Sequence, residues 1–118
     1  MASPDAWLGL ARRAGRIAVG RTACRQALRE RRAAALVVAH DASDAAKRHW
    51  MRVAPRYGVT VVLWGDMRRL ADALGTPGLP AVVAILDRAM AQNFLASVNE
   101  CVEDARGRRP SECRSDEP

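Results

Sequence analysis

Residues 34–39, AALVVA, form one of three short runs that are almost wholly apolar; the other two are residues 59–64, VTVVLW, and residues 81–86, AVVAIL. Apolar runs of this length, without alternating polar residues, are typical of strands covered on both faces. A shorter extended segment is predicted at residues 17–19. These four segments predict a small sheet at the centre of the fold.

Helical patterns separate the predicted strands. Ser3, Pro4 and Asp5 predict an N-cap, a first-turn proline and a dipole-matched acid at the start of a first helix. Further helices are predicted at residues 20–32, 43–57 and 66–74 and after residue 87, and Pro55 is expected either to kink the 43–57 helix or to end it early. Helices that alternate with buried strands predict an α/β fold, a three-layer α/β/α sandwich around a small mixed, mainly parallel four-stranded sheet.

The length of 118 residues and the hydrophobic content of 49% predict one domain, residues 1–105. The polar residues 106–118 are predicted to form a disordered tail. No stretch approaches the roughly 18 apolar residues of a membrane-spanning helix. The three cysteines form no CxxC pair, which is typical of reduced cytosolic thiols. We therefore expect a cytoplasmic protein without a membrane partner, a disulfide framework or a zinc site.

The charge is unevenly distributed along the chain. The net charge is +6, and residues 12–32 contain eight arginines against one acid, Glu30, whereas acids outnumber bases after Leu86. A basic surface of this kind favours association with a polyanion or an anionic membrane surface. The clustering indicates the position of a binding surface more strongly than the arginine content does, because arginine also replaces lysine in GC-rich coding sequences.

The most strongly basic segment is residues 20–32, GRTACRQALRERR. Arg21, Arg25, Arg29 and Arg32 recur at spacings of four, four and three, which places them on one helix face. Gly20 at the helix start allows close approach to the backbone, and the unpaired N–H groups of the first turn favour an anion. The segment predicts a phosphate-binding surface; the alternative is a solvated charged face of an ordinary amphipathic helix.

Residues typical of catalysis are present but not in catalytic patterns. His40, Asp41 and Ser43 lie too close in sequence to form a nucleophile, base and orienting group, and Ser43 is better interpreted as a helix cap. The chain has no glycine-rich nucleotide-binding motif and no evident pair of catalytic carboxylates. We therefore expect no enzymatic activity, no metal, no cofactor and no small-molecule substrate. The three tryptophans are predicted to anchor the core, and Cys24 is predicted to pack as a small apolar residue.

Several segments carry a resemblance to a known family. WLGLARRAGRIAVG at residues 7–20, AHDAS at 39–43, LADALG at 70–75 and AVVAILD at 81–87 are similar to bacterial YlxQ-type proteins of the ribosomal L-seven-Ae family. The resemblance covers residues 6–96. It implies an α/β/α sandwich that binds structured RNA of the ribosome and related particles, and the better-known members bind RNA kink-turns.

The resemblance also implies where RNA would bind. In the family, the RNA surface is the start of the second helix together with the loop before the last strand. The matching positions here are Gly20 onward and the loop formed by Thr76, Pro77, Gly78, Leu79 and Pro80. Gly20 would lie against the RNA backbone, and the loop would offer an apolar surface to an extruded base.

The chain departs from the kink-turn pattern after the glycine. Kink-turn readers usually continue with Thr, then Asn or Lys, then Glu or Gln, with a Lys three residues further on, whereas this chain has Arg21, Thr22, Ala23 and Gln26. Ala23 makes no polar base contact and Gln26 neutralises no phosphate, so the resemblance implies backbone binding and leaves the reading of sheared G·A pairs open. Thr22 and Gln26 retain groups that can hydrogen-bond bases or riboses.

Together these observations predict a non-catalytic RNA-binding protein, ribosomal or ribosome-associated. Docking would be electrostatic, through Arg21, Arg25, Arg29 and Arg32 with Arg13 and Arg16 flanking, around a backbone contact at Gly20. The alternative is a protein–protein interaction module of the same fold without a specific RNA ligand.

Overall fold

A computed structural model describes the backbone of residues 3–107 and the side chains of residues 3–98. Four strands and five helices alternate along this part of the chain, with a short 3-10 turn, Ala54–Tyr57, after the third helix. In chain order the elements are α1 (Pro4–Arg13), β1 (Ile17–Val19), α2 (Arg21–Arg29), β2 (Ala35–Val38), α3 (Asp44–Val53), β3 (Thr60–Leu63), α4 (Met67–Leu74), β4 (Val82–Ile85) and α5 (Arg88–Gly107).

The sheet is mixed and four-stranded, as predicted, with the order β1-β4-β2-β3. The expectation that most of its strands pair in parallel is wrong. β2 and β3 are parallel, but β4 is antiparallel to both β1 and β2. The physical reason is the connection through α4. β3 ends beside Val38, and β4 starts beside the same residue, so the chain re-enters the sheet from the end at which it left.

Alternate strand residues face two separate apolar layers, which confirms the three-layer sandwich. Val37 and Val83 pack on one face of the sheet with residues of α1, α4 and α5, including Phe94. Leu36 and Val38 pack on the other face with residues of α2 and α3. Because both faces are covered, the strands β2 and β4 are buried along their whole length.

Side-chain caps start the helices where the sequence indicates. The hydroxyl of Ser3 accepts a hydrogen bond from the N–H of Ala6 at 3.2 Å, and that of Ser43 accepts one from Ala46 at 3.1 Å. Asp66 caps α4 in the same way, through the N–H of Arg69 at 2.7 Å. Each cap satisfies a donor that the first helical turn leaves unpaired.

The helix ends also follow local chemistry. α3 ends at Val53, and Pro55 lies in the 3-10 turn that follows, as its missing N–H requires. α4 ends at Leu74, and Gly75 caps it with a φ of 68°, the left-handed conformation that favours glycine. α5 extends to Gly107. The remainder of the predicted tail, residues 108–118, lies outside the described residues, so the domain boundary and the tail stay predictions.

The tryptophans anchor the core as predicted. Trp50 and Trp64 are buried, and Trp7 is half-buried against the layer formed by α1, α4 and α5. The ring of Trp64 meets Phe94 edge to face at 5.7 Å between centroids. The guanidinium of Arg69 lies 4.5 Å from the centroid of the same ring and makes two hydrogen bonds to the carboxylate of Asp5. These contacts join α1 and α4 to the sheet. Within residues 3–107, no helix is long and apolar enough to cross a membrane.

Candidate nucleic-acid interface

One end of the sheet brings together the two segments implicated by the sequence. The N–H of Gly20 donates to the carbonyl of Val82 at 3.0 Å, and the N–H of Ala39 donates to the carbonyl of Ala81 at 2.9 Å. These bonds place the start of α2 beside the loop that leads into β4. We call residues 20–26 and 76–81 together the Gly20 surface.

Gly20 has a backbone conformation that only glycine adopts readily. Its φ of 94° and ψ of 166° lie in a region that is essentially closed to residues with a side chain. A Cβ atom built at this position would meet no heavy atom within 4 Å. Glycine is therefore required by the backbone and not by internal packing, and the space beside it is open to a partner.

The first turn of α2 offers unpaired donors. The first intrahelical bond runs from the N–H of Cys24 to the carbonyl of Gly20 at 3.0 Å, so the N–H groups of Arg21, Thr22 and Ala23 have no intrahelical acceptor. The first turn contains no acidic residue, and Gly20 provides no capping side chain. Such a helix start favours a bound anion, because its donors and the helix dipole both point toward it.

Arg21 and Arg25 are exposed and line one side of a groove of about 300 Å³. The opposite side is formed by α3 and includes Ser43, His49 and Trp50, with the imidazole of His49 edge-on to Trp50 at 4.9 Å. Neither Ser43 nor His49 is among the residues that the sequence predicts for this surface. No local signal was available for them, because only the packing of α3 against α2 brings them beside the arginines.

Thr22 and Gln26 are exposed, whereas Ala23 is half-buried. Gln26 donates a hydrogen bond of 2.9 Å to the carboxylate of Glu30, and Arg32 donates one of 3.0 Å to the other oxygen. These two hydrogen bonds, that from Gln26 first, hold the pKa of Glu30 below its usual range. Glu30 is therefore ionised at neutral pH and reduces the positive field near the end of α2.

The loop before β4 presents an apolar tip. Leu79 is 57% exposed, and the preceding Pro77 and Gly78 are exposed too, with φ of 83° at Gly78. Thr76 is half-buried, and its hydroxyl oxygen is buried without a hydrogen-bond partner among the described residues. The loop thus combines an exposed aliphatic side chain with a polar atom that the fold leaves unsatisfied.

The fold separates the remaining predicted arginines from Gly20. Arg29 is exposed in the last turn of α2, and Arg13 lies in the last turn of α1, on the opposite face of the sheet. The prediction that Arg32 continues the α2 face is wrong, because α2 ends at Arg29 and Arg31 turns left-handed with φ of 57°. Arg16 and Arg32 line a different cavity, at the far end of the sheet.

The residues typical of catalysis have structural roles. Asp41 accepts a hydrogen bond from the N–H of Met67 at 2.9 Å, Ser43 caps α3, and the carbonyl of His40 accepts from the ammonium of Lys47. Cys24 is fully buried, and burial raises the pKa of its thiol to about 12. In the part of the chain that the structure describes, no group of three or more histidine, cysteine or acidic side chains is placed to hold a metal ion.

Solved structures of other proteins share this fold, and two of them illustrate the likeness. A protein of unknown function from Bacillus halodurans C superposes with a TM-score of 0.76 at 22% identity, over 81% of this chain and 96% of that one. A Giardia lamblia 15.5kD RNA binding protein superposes with a TM-score of 0.68 at 20% identity, over 84% of this chain and 83% of that one. The search of curated proteins found no match.

A family model covers nearly all of the folded part. The model of the ribosomal protein L7Ae/L30e/S12e/Gadd45 family matches residues 3–95, from the N-cap of α1 into α5. This match includes every strand of the sheet and both segments of the Gly20 surface. The chain therefore belongs to the ribosomal protein L7Ae/L30e/S12e/Gadd45 family.

Proposed function

We propose that this protein binds structured RNA through the Gly20 surface. The observation that carries the proposal is the start of α2. This helix start combines an open glycine, three N–H groups without an intrahelical acceptor and two exposed arginines. It lies beside an apolar loop tip at the same end of the sheet. The likeness in fold to a Giardia RNA binding protein supports the same class of ligand. The family is one of RNA-binding, non-catalytic proteins, so the chain is a binding protein and not an enzyme.

The proposed mechanism separates docking from shape recognition. Arg21 and Arg25 attract the phosphate backbone, and a phosphate oxygen accepts from the free N–H groups at the helix start. Gly20 permits this approach because no side chain stands in the way. Leu79 then packs against a base that has left its stack, which is the usual way in which proteins recognise irregular RNA. Arg13 and Arg29 strengthen the positive field without contacting the same phosphates.

The RNA that fits this surface is irregular in shape, and we propose a kink-turn-like element of a ribosomal RNA. Ala23 and the engaged side chain of Gln26 leave few groups for hydrogen bonds to base edges. Discrimination would therefore depend on the bent backbone and the extruded base more than on base-edge contacts. A ribosomal or ribosome-associated role in the cytoplasm follows from this ligand and is part of the proposal.

The test is a titration of two labelled RNAs, a kink-turn and a duplex of the same length, at two salt concentrations. The intact protein is compared with Arg21→Glu/Arg25→Glu and with the matched control Arg12→Glu/Arg68→Glu, whose arginines are exposed on α1 and α4. We expect selective binding of the kink-turn that is lost in the first variant and retained in the control. Equal loss in both variants would show that only net charge matters.

The protein-interaction alternative has one observation in its favour, the 57% exposure of Leu79 at the loop tip. A protein partner would bury this side chain without needing the arginines. Absence of RNA binding by the intact chain, together with retention of a protein partner by Arg21→Glu/Arg25→Glu, would favour this alternative. Co-sedimentation of the intact chain with ribosomal subunits tests the proposed ribosomal association separately.

A further inference from the structure

A second concentration of positive charge lies at the end of the sheet opposite Gly20. Two adjoining cavities, of about 360 and 520 Å³, share Arg31, Ala33, Ala34 and Arg88 in their walls. Among the residues that the structure describes, no acidic residue lines either cavity. We call the four arginines around them the second basic surface: Arg16, Arg31, Arg32 and Arg88.

Backbone hydrogen bonds place these arginines together. The N–H of Leu86, just after β4, donates to the carbonyl of Arg16 at 2.9 Å, and the N–H of Ala34 donates to the carbonyl of Ile85 at 2.8 Å. The starts of β1 and β2 therefore meet the end of β4, whereas Gly20 and Val82 meet at its beginning. The second basic surface is thus separated from the Gly20 surface by the length of the sheet.

Arg31 occupies a position that favours glycine. Its N–H donates to the carbonyl of Leu28 at 3.0 Å and that of Arg32 donates to Ala27 at 2.9 Å, the two bonds of a Schellman motif at the end of α2. This motif requires a left-handed residue directly after the helix cap, and that residue is Arg31. Its φ of 57° is the one positive φ outside glycine among the described residues. A side chain here is strained, so local stability does not explain the arginine.

Arg88 is the first residue of α5 and breaks a second local preference. The carboxylate of Asp87 caps this helix through the N–H of Met90 at 2.9 Å, which suits the positive end of the helix dipole. A cation at the next position, Arg88, does not suit the positive end of the dipole. Arg31 and Arg88 thus both occupy positions where local preferences favour other residues, and both line the same cavities. Residues that break local preferences are expected at functional sites.

Most of the charge at this surface is not neutralised. Arg32 is paired with Glu30 at 3.0 Å, but Arg16, Arg31 and Arg88 form no ion pair within residues 3–98. The guanidinium of Arg31 lies 5.6 Å from the centroid of the Tyr57 ring. Three exposed guanidinium groups therefore form no ion pair with any described side chain.

The larger cavity adds groups suited to a nucleobase. The half-buried ring of Tyr57 stands beside Arg31, and the polar residues Thr60 and Gln92 also line this cavity. Aromatic rings and guanidinium planes are the platforms on which proteins stack unpaired bases. The two cavities are contiguous, so together they form a groove that suits a chain of nucleotides more than a single one.

We propose that the second basic surface binds a single-stranded RNA segment, with phosphates on Arg16, Arg31 and Arg88 and a base against Tyr57. Combined with the proposed function, this second site would give a protein that holds two RNA segments, one at each end of its sheet. This inference goes beyond the proposed function and does not require it, because the second basic surface shares no residue with the Gly20 surface.

The test uses the full chain and a labelled single-stranded RNA of ten mixed-sequence nucleotides. Arg31→Gly/Arg88→Gln removes two charges from the surface, and Arg12→Gln/Arg68→Gln removes two exposed arginines elsewhere. Affinity is measured between 50 and 200 mM salt. We expect the first variant to bind about tenfold more weakly, with a slope of log affinity against log salt shallower by about 1.4, and the control to match the intact chain.

Stability measurements separate lost binding from lost folding. Arg31→Gly relieves the left-handed strain, so the urea concentration that unfolds half of this variant should equal or exceed that of the intact chain. Arg88→Gln alone leaves the Schellman motif intact and should produce about half of the change in salt slope. A structured RNA with a donor dye and the single strand with an acceptor dye should show energy transfer on the intact chain, and none on Arg31→Gly/Arg88→Gln.

Three results would overturn the inference. One is equal single-strand affinity for Arg31→Gly/Arg88→Gln and the control; another is no single-strand binding by the intact chain. The third is complete displacement of the RNA by an equal concentration of uridine monophosphate, which would identify a free nucleotide as the ligand.

The variant Arg21→Glu/Arg25→Glu distinguishes the two surfaces. Loss of structured-RNA binding with retained single-strand binding supports both surfaces, and retained binding of both RNAs refutes only the Gly20 surface.

Discussion

The N–H of Gly20 donates a 3.0 Å hydrogen bond to the carbonyl oxygen of Val82, which joins the start of α2 to the beginning of β4. Because β4 is inserted between β1 and β2, the loop before β4 emerges beside the glycine and not at a distant edge of the sheet. The proposed interface thus depends on a backbone contact between segments about 60 residues apart.

Gly20→Ala tests the backbone requirement at this contact. The native φ of 94° is unfavourable for alanine, so we expect the free energy of unfolding to fall by about 1–3 kcal/mol. The added methyl group also occupies the approach to the helix start, so RNA affinity should fall about tenfold, or ~1.4 kcal/mol. Urea unfolding and RNA titration measure the two effects.

The matched control is Gly58→Ala. Gly58 also has a left-handed φ, 70°, and open space around it, but it lies in the turn before β3. This variant should lose stability while it binds structured RNA normally. Equal RNA affinity for both variants would refute the close approach at Gly20.

The salt dependence of structured-RNA binding should reflect the exposed arginines of α2. With Arg32 displaced from the helix, Arg21, Arg25 and Arg29 remain, so the slope of log affinity against log salt should be about −2 to −3. Arg21→Gln/Arg25→Gln should reduce its magnitude by about 2, and Arg12→Gln/Arg68→Gln should not. Fluorescence anisotropy between 50 and 200 mM salt gives the slopes, and a slope near zero for the intact chain contradicts electrostatic docking.

Thr76→Val should stabilise the fold. The hydroxyl oxygen of Thr76 is buried without a partner among the described residues, and a methyl group of nearly the same shape needs no hydrogen bond. The expected gain in unfolding free energy is about 1 kcal/mol. Thr76→Ser keeps the hydroxyl and should show no gain. A destabilised Thr76→Val would indicate that the hydroxyl has a partner in solution.

Cys24 should make stability sensitive to alkaline pH. Burial raises its pKa from an ordinary 9.0 to about 12, so the folded state retains the thiol proton over a range in which the unfolded chain releases it. This contribution is fully present below pH 9 and is lost as the pH rises from 9 toward 12. In a Cys101→Ser/Cys113→Ser background, unfolding free energy should fall across this range, and the fall should be smaller after Cys24→Ala.

Thiol labelling gives an independent measurement in the same background. A neutral buried thiol reacts poorly, because the thiolate is the nucleophile. We expect an alkylating reagent at pH 8 to modify Cys24 only when urea unfolds the chain. Rapid modification of the folded protein would contradict the burial of this side chain.

Much of the local structure could be predicted from residues close together in the chain. Ser43 capping α3, Pro55 ending it and Gly75 ending α4 are all confirmed, because caps, missing donors and left-handed glycines act within a few residues. The prediction that the helix continues to Arg32 is wrong. Periodicity alone extends the arginine pattern past Arg29, whereas the chain turns at Arg31 and pairs Arg32 with Glu30.

The candidate site could be predicted only in part. Gly20, Arg21 and Arg25 follow from one short segment, and a family resemblance supplied the loop before β4. His49 and the second basic surface had no such signal, because their residues are distant in sequence and meet only when the helices pack. The sequence indicated that arginines cluster but not that they divide between two ends of the sheet.

By itself, the sequence determined the elements of this protein, since apolar runs, caps and helix breakers act through neighbouring residues and local backbone preferences. It also determined that both faces of the central strands are covered. Only the tertiary structure decided the direction of β4, the meeting of Gly20 with Val82, and the separation of Arg16 and Arg31 from Arg21. These features arise from contacts between distant segments, and apolar burial favours such contacts without specifying which strands pair or in which direction.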